Sequence, residues 1–295
     1  PENLLEIQKD IQKKGRKANR TPGDRIDNSW VERGPNNIGG RTRAMLFDPN
    51  DKDNTNAADD YTRVFAGGVS GGLWVNDNIT DMNSSWERVG ITENLAISSI
   101  VVDPNNSLIW YAGTGESYTH NDGTGTGLWK STNSGTSWSN LIPINFSRSQ
   151  INRFYTINDI MAWDNAGSTE LFIAASREYD YQPVGHQISG LWKSTNNGSS
   201  WSRVDLNTPT GSPYEVNSIK ISVDNSIWIS TRANAYGKGG GKIFKSSDGS
   251  IFDEKYSFSD GDRVEISCSK SNENIVYALA QIRTGTSPYT APYIS

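Results

Sequence analysis

Trp129-Lys130-Ser131-Thr132-Asn133-Ser134-Gly135-Thr136-Ser137-Trp138 returns 63 residues later as Trp192-Lys193-Ser194-Thr195-Asn196-Asn197-Gly198-Ser199-Ser200-Trp201. A near-identical decapeptide at that separation is the mark of a repeat architecture, and a missed period would misassign the whole fold. Working outward, the Gly-Leu-Trp that opens each copy recurs as Gly72-Leu73-Trp74, Gly127-Leu128-Trp129 and Gly190-Leu191-Trp192, with a weaker Lys242-Ile243-Phe244. The fourth copy continues as Lys245-Ser246-Ser247-Asp248-Gly249, one residue short and ending on Phe252, and in the first copy Trp86 follows a longer insertion.

Two strand-like runs precede each copy. They are Arg43–Phe47 with Arg63–Ala66, Ile97–Val102 with Ile109–Gly113, Tyr155–Trp163 with Glu170–Ala175, and Val216–Val223 with Ile227–Thr231. Each unit therefore reads as four strands, A to D. A fifth unit begins at Arg263–Cys268 with Ile275–Gln281. Radial repetition of four-stranded sheets is a β-propeller, which leaves only short, protected sheet edges. The expectation is an all-β propeller with four full blades, a partial fifth and a short N-terminal helix.

Composition agrees with many short strands joined by polar turns: of 295 residues only 34% are hydrophobic, beside 28 Gly, 10 Trp and 12 Tyr. A net charge of −5 gives no global attraction for nucleic acid or anionic membrane. No stretch approaches the roughly 20 apolar residues of a membrane span. Cys268 is the single cysteine, so neither an intrachain disulfide nor a cysteine-based metal cluster is available, and it reads as a small buried side chain.

Within the repeated turn, Asn or Asp is expected to accept backbone N–H groups, Gly to take a positive φ, and the closing Trp to lie between blades. Ser131, Asn133, Gly135, Trp138, Ser194, Asn196, Gly198, Trp201, Ser246 and Asp248 are thus scaffold residues. The pattern Ser-x-Asn/Asp-x-Gly-x-x-Trp resembles the Asp-box, or BNR repeat, of sialidase-like propellers.

Residues 1–27 read as a helix and basic linker, and 28–295 as the propeller. Leu4, Ile7 and Ile11 share one helical face ending near Gly15, followed by Lys13, Lys14, Arg16, Lys17 and Arg20. That face suits packing on the propeller or docking to a partner; no aromatic residues interleave the charges as nucleic-acid binding would want. Ser29-Trp30-Val31-Glu32-Arg33-Gly34 echoes the D strand Ser85–Gly90 and is expected to clasp the last blade. Two readings of closure stand: a piece of a longer protein with six to eight blades, or five blades with Thr286–Ser295 as an improvised C strand.

Tight C–D turns occupy one face of such a disc, which directs the search for function to the opposite face and its B–C loops. Gly67–Gly71 is short, whereas Thr114–Thr126, Ser176–Ser189 and Thr231–Gly240 are long. They carry Glu116, Tyr118, His120 and Asp122, then Arg177, Glu178, Tyr179, Asp180, Tyr181 and His186, then Arg232, Tyr236 and Lys238. Arg177, Tyr179, Tyr181, His120, Arg232 and Tyr236 are the candidate ligand contacts, and Glu116, Glu178 and Asp180 the candidate acids. Ordinary polar loops would read the same way; mixed charge with tyrosine suits a glycan or a protein surface.

A sialidase resemblance implies an arginine cluster, for which Arg41, Arg43, Arg177 and Arg232 are available. The Arg-Ile-Pro motif of sialidase N-termini is absent, and Gly40-Arg41-Thr42-Arg43-Ala44 stands there. The run Phe65-Ala66-Gly67-Gly68-Val69-Ser70-Gly71-Gly72-Leu73-Trp74 is similar to the first blade of xyloglucanase-type propellers, but Val69 stands where that family carries its catalytic Asp. Glycoside hydrolysis requires two carboxylates flanking the bond, and this motif supplies none. Asp48-Pro49-Asn50-Asp51-Lys52-Asp53-Asn54 offers Ca²⁺-type oxygens without EF-hand spacing, so a weak Ca²⁺ site is the one cofactor entertained and no other metal is expected.

Gly34–Ala44, Phe47–Asp51, Phe65–Trp74, Asn94–Ile100 and Tyr111–Glu116 together resemble the large secreted BNR/Asp-box propellers of Bacteroidota, over residues 28 to 281. That resemblance implies an extracellular or cell-surface location and export by the type IX secretion system, whose machinery would be a partner. The leading expectation is a non-catalytic module binding glycan or protein. The alternatives are a glycoside hydrolase with a carboxylate pair on the long-loop face, and a partner-holding propeller similar to sortilin-type receptors or the photosystem II assembly factor.

Overall fold

A computed structural model of the chain describes residues 41–52, 61–91, 96–118, 125–142, 156–176, 189–234, 237–283 and 293–294. Among them there is no helix, and the strands form five antiparallel sheets in chain order. Blade I holds β1 (Thr42–Phe47), β2 (Val64–Gly68), β3 (Gly72–Asn76) and β4 (Trp86–Arg88). Blade II holds β5 (Ile97–Asp103), β6 (Asn106–Thr114), β7 (Leu128–Ser131) and β8 (Ser139–Asn140). Blade III holds β9 (Thr156–Asn165), β10 (Ser168–Ser176), β11 (Gly190–Ser194) and β12 (Ser202–Arg203). Blade IV holds β13 (Glu215–Ile221), β14 (Ile227–Arg232), β15 (Lys242–Ser246) and β16 (Asp253–Ser257). Blade V holds β17 (Gly261–Cys268), β18 (Val276–Ile282) and β19 (Tyr293–Ile294), the last drawn from the segment read as an improvised C strand. The chain is a β-propeller. The N-terminal helix and the Ser29–Gly34 clasp lie outside the described residues.

The core lies between blades, not within them. Blades I and II share Phe65, Leu73, Ile100 and Trp110; blades II and III share Tyr111, Leu128, Ile160 and Leu171; blades III and IV share Phe172, Leu191, Ile219 and Ile229. Phe65 meets Trp110 edge-on at 4.8 Å, a geometry that aligns the positive ring edge with the negative ring face. The two end faces have no described neighbour. Met45 is 66% exposed although its register equivalents Ile100, Ile160, Ile219 and Ile266 are buried, and Tyr277 is 65% exposed although Phe65, Tyr111 and Phe172 are buried.

The repeated turns hold successive blades together. Ser131 Oγ accepts the Gly135 N–H at 3.0 Å, Asn133 Oδ1 accepts the Ser137 N–H at 2.9 Å, and Trp138 Nε1 donates to Gly135 O at 2.9 Å. Ser194, Asn196, Gly198, Ser200 and Trp201 repeat those bonds at 2.9 to 3.0 Å. In the short fourth copy, Asp248 Oδ1 accepts the N–H groups of Ser250 and Ile251, which hold its carboxyl below the usual range. Gly135 has φ +75°, and a Cβ there would lie 2.9 Å from Trp110 and 3.0 Å from Phe65. Glycine is thus required twice over, by backbone angle and by closeness to the neighbouring blade. Trp138, Trp201 and Phe252 pack against these three clusters in turn, and a fourth joins Ile243 of blade IV to Val264, Ile266 and Ala280 of blade V.

Each innermost strand carries a register irregularity near its start. In blades I to IV the extra residue is Arg43, Ser98, Asn158 and Asn217; in blade V the shift falls one step earlier, at Asp262 and Arg263. A bulge leaves its residue unpaired and re-aims the side chain. Here it turns polar side chains toward the axis, and Asn158 Nδ2 and Asn217 Nδ2 each reach a backbone carbonyl of the following blade, Val216 O at 2.9 Å and Val264 O at 2.7 Å.

Candidate site: an arginine cluster around Tyr118

The B–C segment Glu116-Ser117-Tyr118, following β6, reaches across the axis and engages four other blades. Toward blade I, Glu116 faces Arg41 at 3.6 Å and Arg43 at 3.9 Å. Toward blade III, Ser117 Oγ donates to Asn158 Oδ1 at 2.6 Å. Toward blade IV, Arg232 Nη1 donates to Ser117 O at 2.6 Å and Ser117 Oγ at 2.9 Å. The Tyr118 ring has Arg43 at 4.1 Å, Arg263 of blade V at 3.8 Å and Arg232 at 5.2 Å from its centroid, within cation–π range.

Burial dominates the phenol. It raises the Tyr118 pKa to about 12 against the opposing pull of Arg263, with Glu265 adding to the rise and Arg43 and Arg232 lowering it. Tyr118 is therefore a neutral phenol at physiological pH. The carboxylates are committed to arginines: Glu265 accepts from Arg263, and buried Glu215 accepts from Ser176 Oγ at 2.5 Å and faces Arg232 at 3.9 Å. A cavity of about 720 Å³ follows the innermost strands of all five blades, with Arg43, Tyr118 and Arg263 at one end and Val102, Ile221, Cys268 and Lys270 at the other.

Of the residues singled out from the sequence, Glu116, Tyr118 and Arg232 meet at this place, joined by Arg41 and Arg43 of the arginines considered. Lys238 is exposed and stands apart, its N–H bonded to Asn234 Oδ1 at 3.0 Å. His120, Asp122, Arg177, Glu178, Tyr179, Asp180, Tyr181, His186 and Tyr236 lie outside the described residues. Arg263, Ser117, Asn158 and Glu215 were not anticipated. A readable signal existed: the start of every innermost strand points to the axis, so a charged or amide residue there marks the channel mouth.

In the acidic loop, Asp48 accepts from the Asn50 N–H at 2.8 Å and pairs with Arg63 at 3.0 Å, while Asp51 Oδ2 accepts the Arg63 N–H at 2.6 Å. Asn50 bridges to blade II through Ser107 O at 2.8 Å. These oxygens are engaged by protein donors; Asp53 and Asn54 lie outside the described residues. Among the described residues no group of three or more His, Cys, Asp or Glu could hold a metal ion. No described helix is long and apolar enough to cross a membrane.

No protein-family model and no curated protein matches the chain. Solved propellers do. An ancestral GH74 enzyme is similar over 83% of this chain and 28% of its own, with 19% identity and a TM-score of 0.55. The GH74 xyloglucanase of Xanthomonas campestris is similar over 87% of this chain and 43% of its own, with 13% identity and a TM-score of 0.46. YCF48 bound to D1 peptide is similar over 82% of this chain and 61% of its own, with 12% identity and a TM-score of 0.44. The chain therefore spans less than two thirds of each, and the first likeness supports the propeller fold.

Proposed function

We propose that this propeller is a non-catalytic binding module, secreted or held at the cell surface, that takes an acidic glycan or an acidic protein segment on its B–C-loop face. The observation that carries this reading is the convergence of Arg41, Arg43, Arg232 and Arg263 at the loop-side end of the channel. Guanidinium groups suit planar carboxylates through paired hydrogen bonds. Arg41 is 58% exposed and so presents its charge outward. A non-catalytic role is supported by Glu116, Glu215 and Glu265, each committed to an arginine. It is also supported by Tyr118, whose pKa of about 12 keeps it from serving as an anionic nucleophile.

Titration with oligogalacturonate and with oligoglutamate tests the reading against neutral β-glucan oligomers. Saturable, salt-sensitive binding of an acidic probe, weakened in Arg41→Ala, is the expected result. The competing reading, a glycoside hydrolase using Glu116 with Glu178 or Asp180, predicts product release from sialosides or β-glucans, and such release would displace the binding account.

Extracellular location and type IX export rest on the sequence resemblance. Fractionation of the producing cells tests them; retention inside a strain lacking that secretion system is expected, and unchanged export overturns the assignment. The bare faces at Met45 and Tyr277 support the expectation of further blades in a longer protein. Repeated Ser-x-Asn/Asp-x-Gly turns in the gene beyond Ser295 are expected, and a stop codon there excludes them.

A further inference from the structure

Glu116 and Arg41 form an ion pair whose two halves differ in exposure. The Glu116 side chain is 3% exposed and the Arg41 side chain 58%. The glutamate is held in place, because its Oε1 accepts the Tyr118 N–H at 3.2 Å and the adjoining Ser117 is bonded to Asn158 and Arg232. Arg41 is the outer partner, on a long side chain with several rotatable bonds. A ligand arriving on the loop face therefore meets this arginine first, with the carboxylate behind it.

The pair is also open. Arg41 Nη2 stands 3.6 Å from Glu116 Oε1 and Arg43 Nε 3.9 Å from Glu116 Oε2, both beyond hydrogen-bond distance. Closed pairs in the same molecule lie nearer, Lys193 with Glu170 at 2.7 Å and Arg63 with Asp48 at 3.0 Å. Attraction without a hydrogen bond keeps a guanidinium close while leaving its fork of N–H donors able to turn to another carboxylate. The other arginines are more firmly placed. Glu265 accepts the Arg263 Nε–H at 3.1 Å, Arg232 donates to Ser117, and Arg43, with 18% of its side chain exposed, lies over the Tyr118 ring. Arg41 is the member of the cluster best placed to change partner.

We propose that Glu116 is an internal competitor for the loop-face site. In the free protein it holds Arg41 beside the Tyr118 segment, and an acidic ligand binds by exchanging its own carboxylate for that of Glu116. The inference rests on the acidic-ligand reading above and adds what restrains it. Removing the competitor strengthens binding by no more than the pair it breaks, and one exposed partner limits that to about fivefold.

The test is calorimetric titration of oligogalacturonate and oligoglutamate into the full chain, Glu116→Gln, Arg41→Ala and the double variant. Glu116→Gln keeps an oxygen for the Tyr118 N–H and is expected to bind an acidic probe about three- to fivefold more tightly than the parent. In the Arg41→Ala background the same change is expected to alter affinity by less than about twofold, the scatter of independent sites. A general field effect of one lost negative charge would persist there. Glu116→Asp keeps the charge but draws the carboxylate back from Arg41; it is expected to gain part of the effect and decides the matter if Glu116→Gln fails to fold. Equal or weaker binding by these variants overturns the proposal, since Glu116 would then be positioning Arg41 for the ligand. A gain that survives Arg41→Ala overturns it too. Both results leave the binding reading standing, whereas failure of the parent and of Glu116→Gln to bind either acidic probe removes that reading and this inference together.

Discussion

Truncating Tyr118 tests whether the Glu116-Ser117-Tyr118 segment ties the blades together. A fully enclosed aromatic cut back to Ala costs about 3–5 kcal/mol, and each cation–π contact about 0.5–2 kcal/mol more. Tyr118 is half-buried and its two closest guanidinium contacts are at 3.8 and 4.1 Å. A discounted total of ~3 kcal/mol follows, or a fall in melting temperature of roughly 5 °C at this chain length. Tyr118→Phe keeps the ring and is expected to lose under ~1 kcal/mol at neutral pH. Its signature lies at high pH. With a folded pKa of about 12 against an ordinary 10, Tyr118 contributes stability that is complete below pH 10 and is lost as pH rises toward 12. Tyr118→Phe should flatten that alkaline decline in part, because burial also raises Tyr111 to about 12. Urea unfolding followed by tryptophan fluorescence at pH 7, 9 and 11 reads both effects. A Tyr118→Ala protein within ~0.5 kcal/mol of the parent would refute the tie.

Three further outcomes follow from the turns. Asn196→Ala removes bonds to the Ser200 N–H at 2.9 Å and Ser200 Oγ at 2.8 Å and is expected to lower stability by ~1–2 kcal/mol in urea unfolding. Gly135→Val should be the most damaging turn variant, since φ +75° and contacts at 2.9 and 3.0 Å leave no room for a branched side chain; a melting temperature equal to the parent's would contradict the contact with Phe65 and Trp110. Asp248, held below the usual carboxylate range by the Ile251 and Ser250 N–H groups, contributes stability that is present above its unfolded pKa and is lost as pH falls through its folded one. Asp248→Asn should therefore shrink the acid-side loss of stability seen in pH-dependent melting, leaving neutral stability little changed.

The fold was legible because its signals are local. Ser131 to Trp138 and Ser194 to Trp201 spell out the turn in consecutive residues, and short strand-like runs such as Glu170–Ala175 precede it. The axial cluster was legible only in part. Glu116, Tyr118 and Arg232 lie in long polar loops, where composition alone suggests a site. Arg263 opens an innermost strand some 145 residues from Tyr118 along the chain, and only the radial arrangement of blades brings them together. Asn158 and Asn217 carry a mark only in their place near the start of an innermost strand, because a bulge shifts register without a sequence sign of its own and strand alternation does not show it. The cavity beneath Tyr118 was likewise out of reach, because it is bounded by strands from five separate repeats.

Calorimetric titration of oligogalacturonate and oligoglutamate into the intact chain, held long enough for slow turnover heat to register, tests the central claim most directly. The account predicts heats that saturate with at least one acidic probe, weaken with added salt and in Arg41→Ala, and return to baseline after each injection. Sustained heat flow with product formation would identify an enzyme, and failure of both acidic probes to bind better than a neutral β-glucan would contradict the arginine-cluster account.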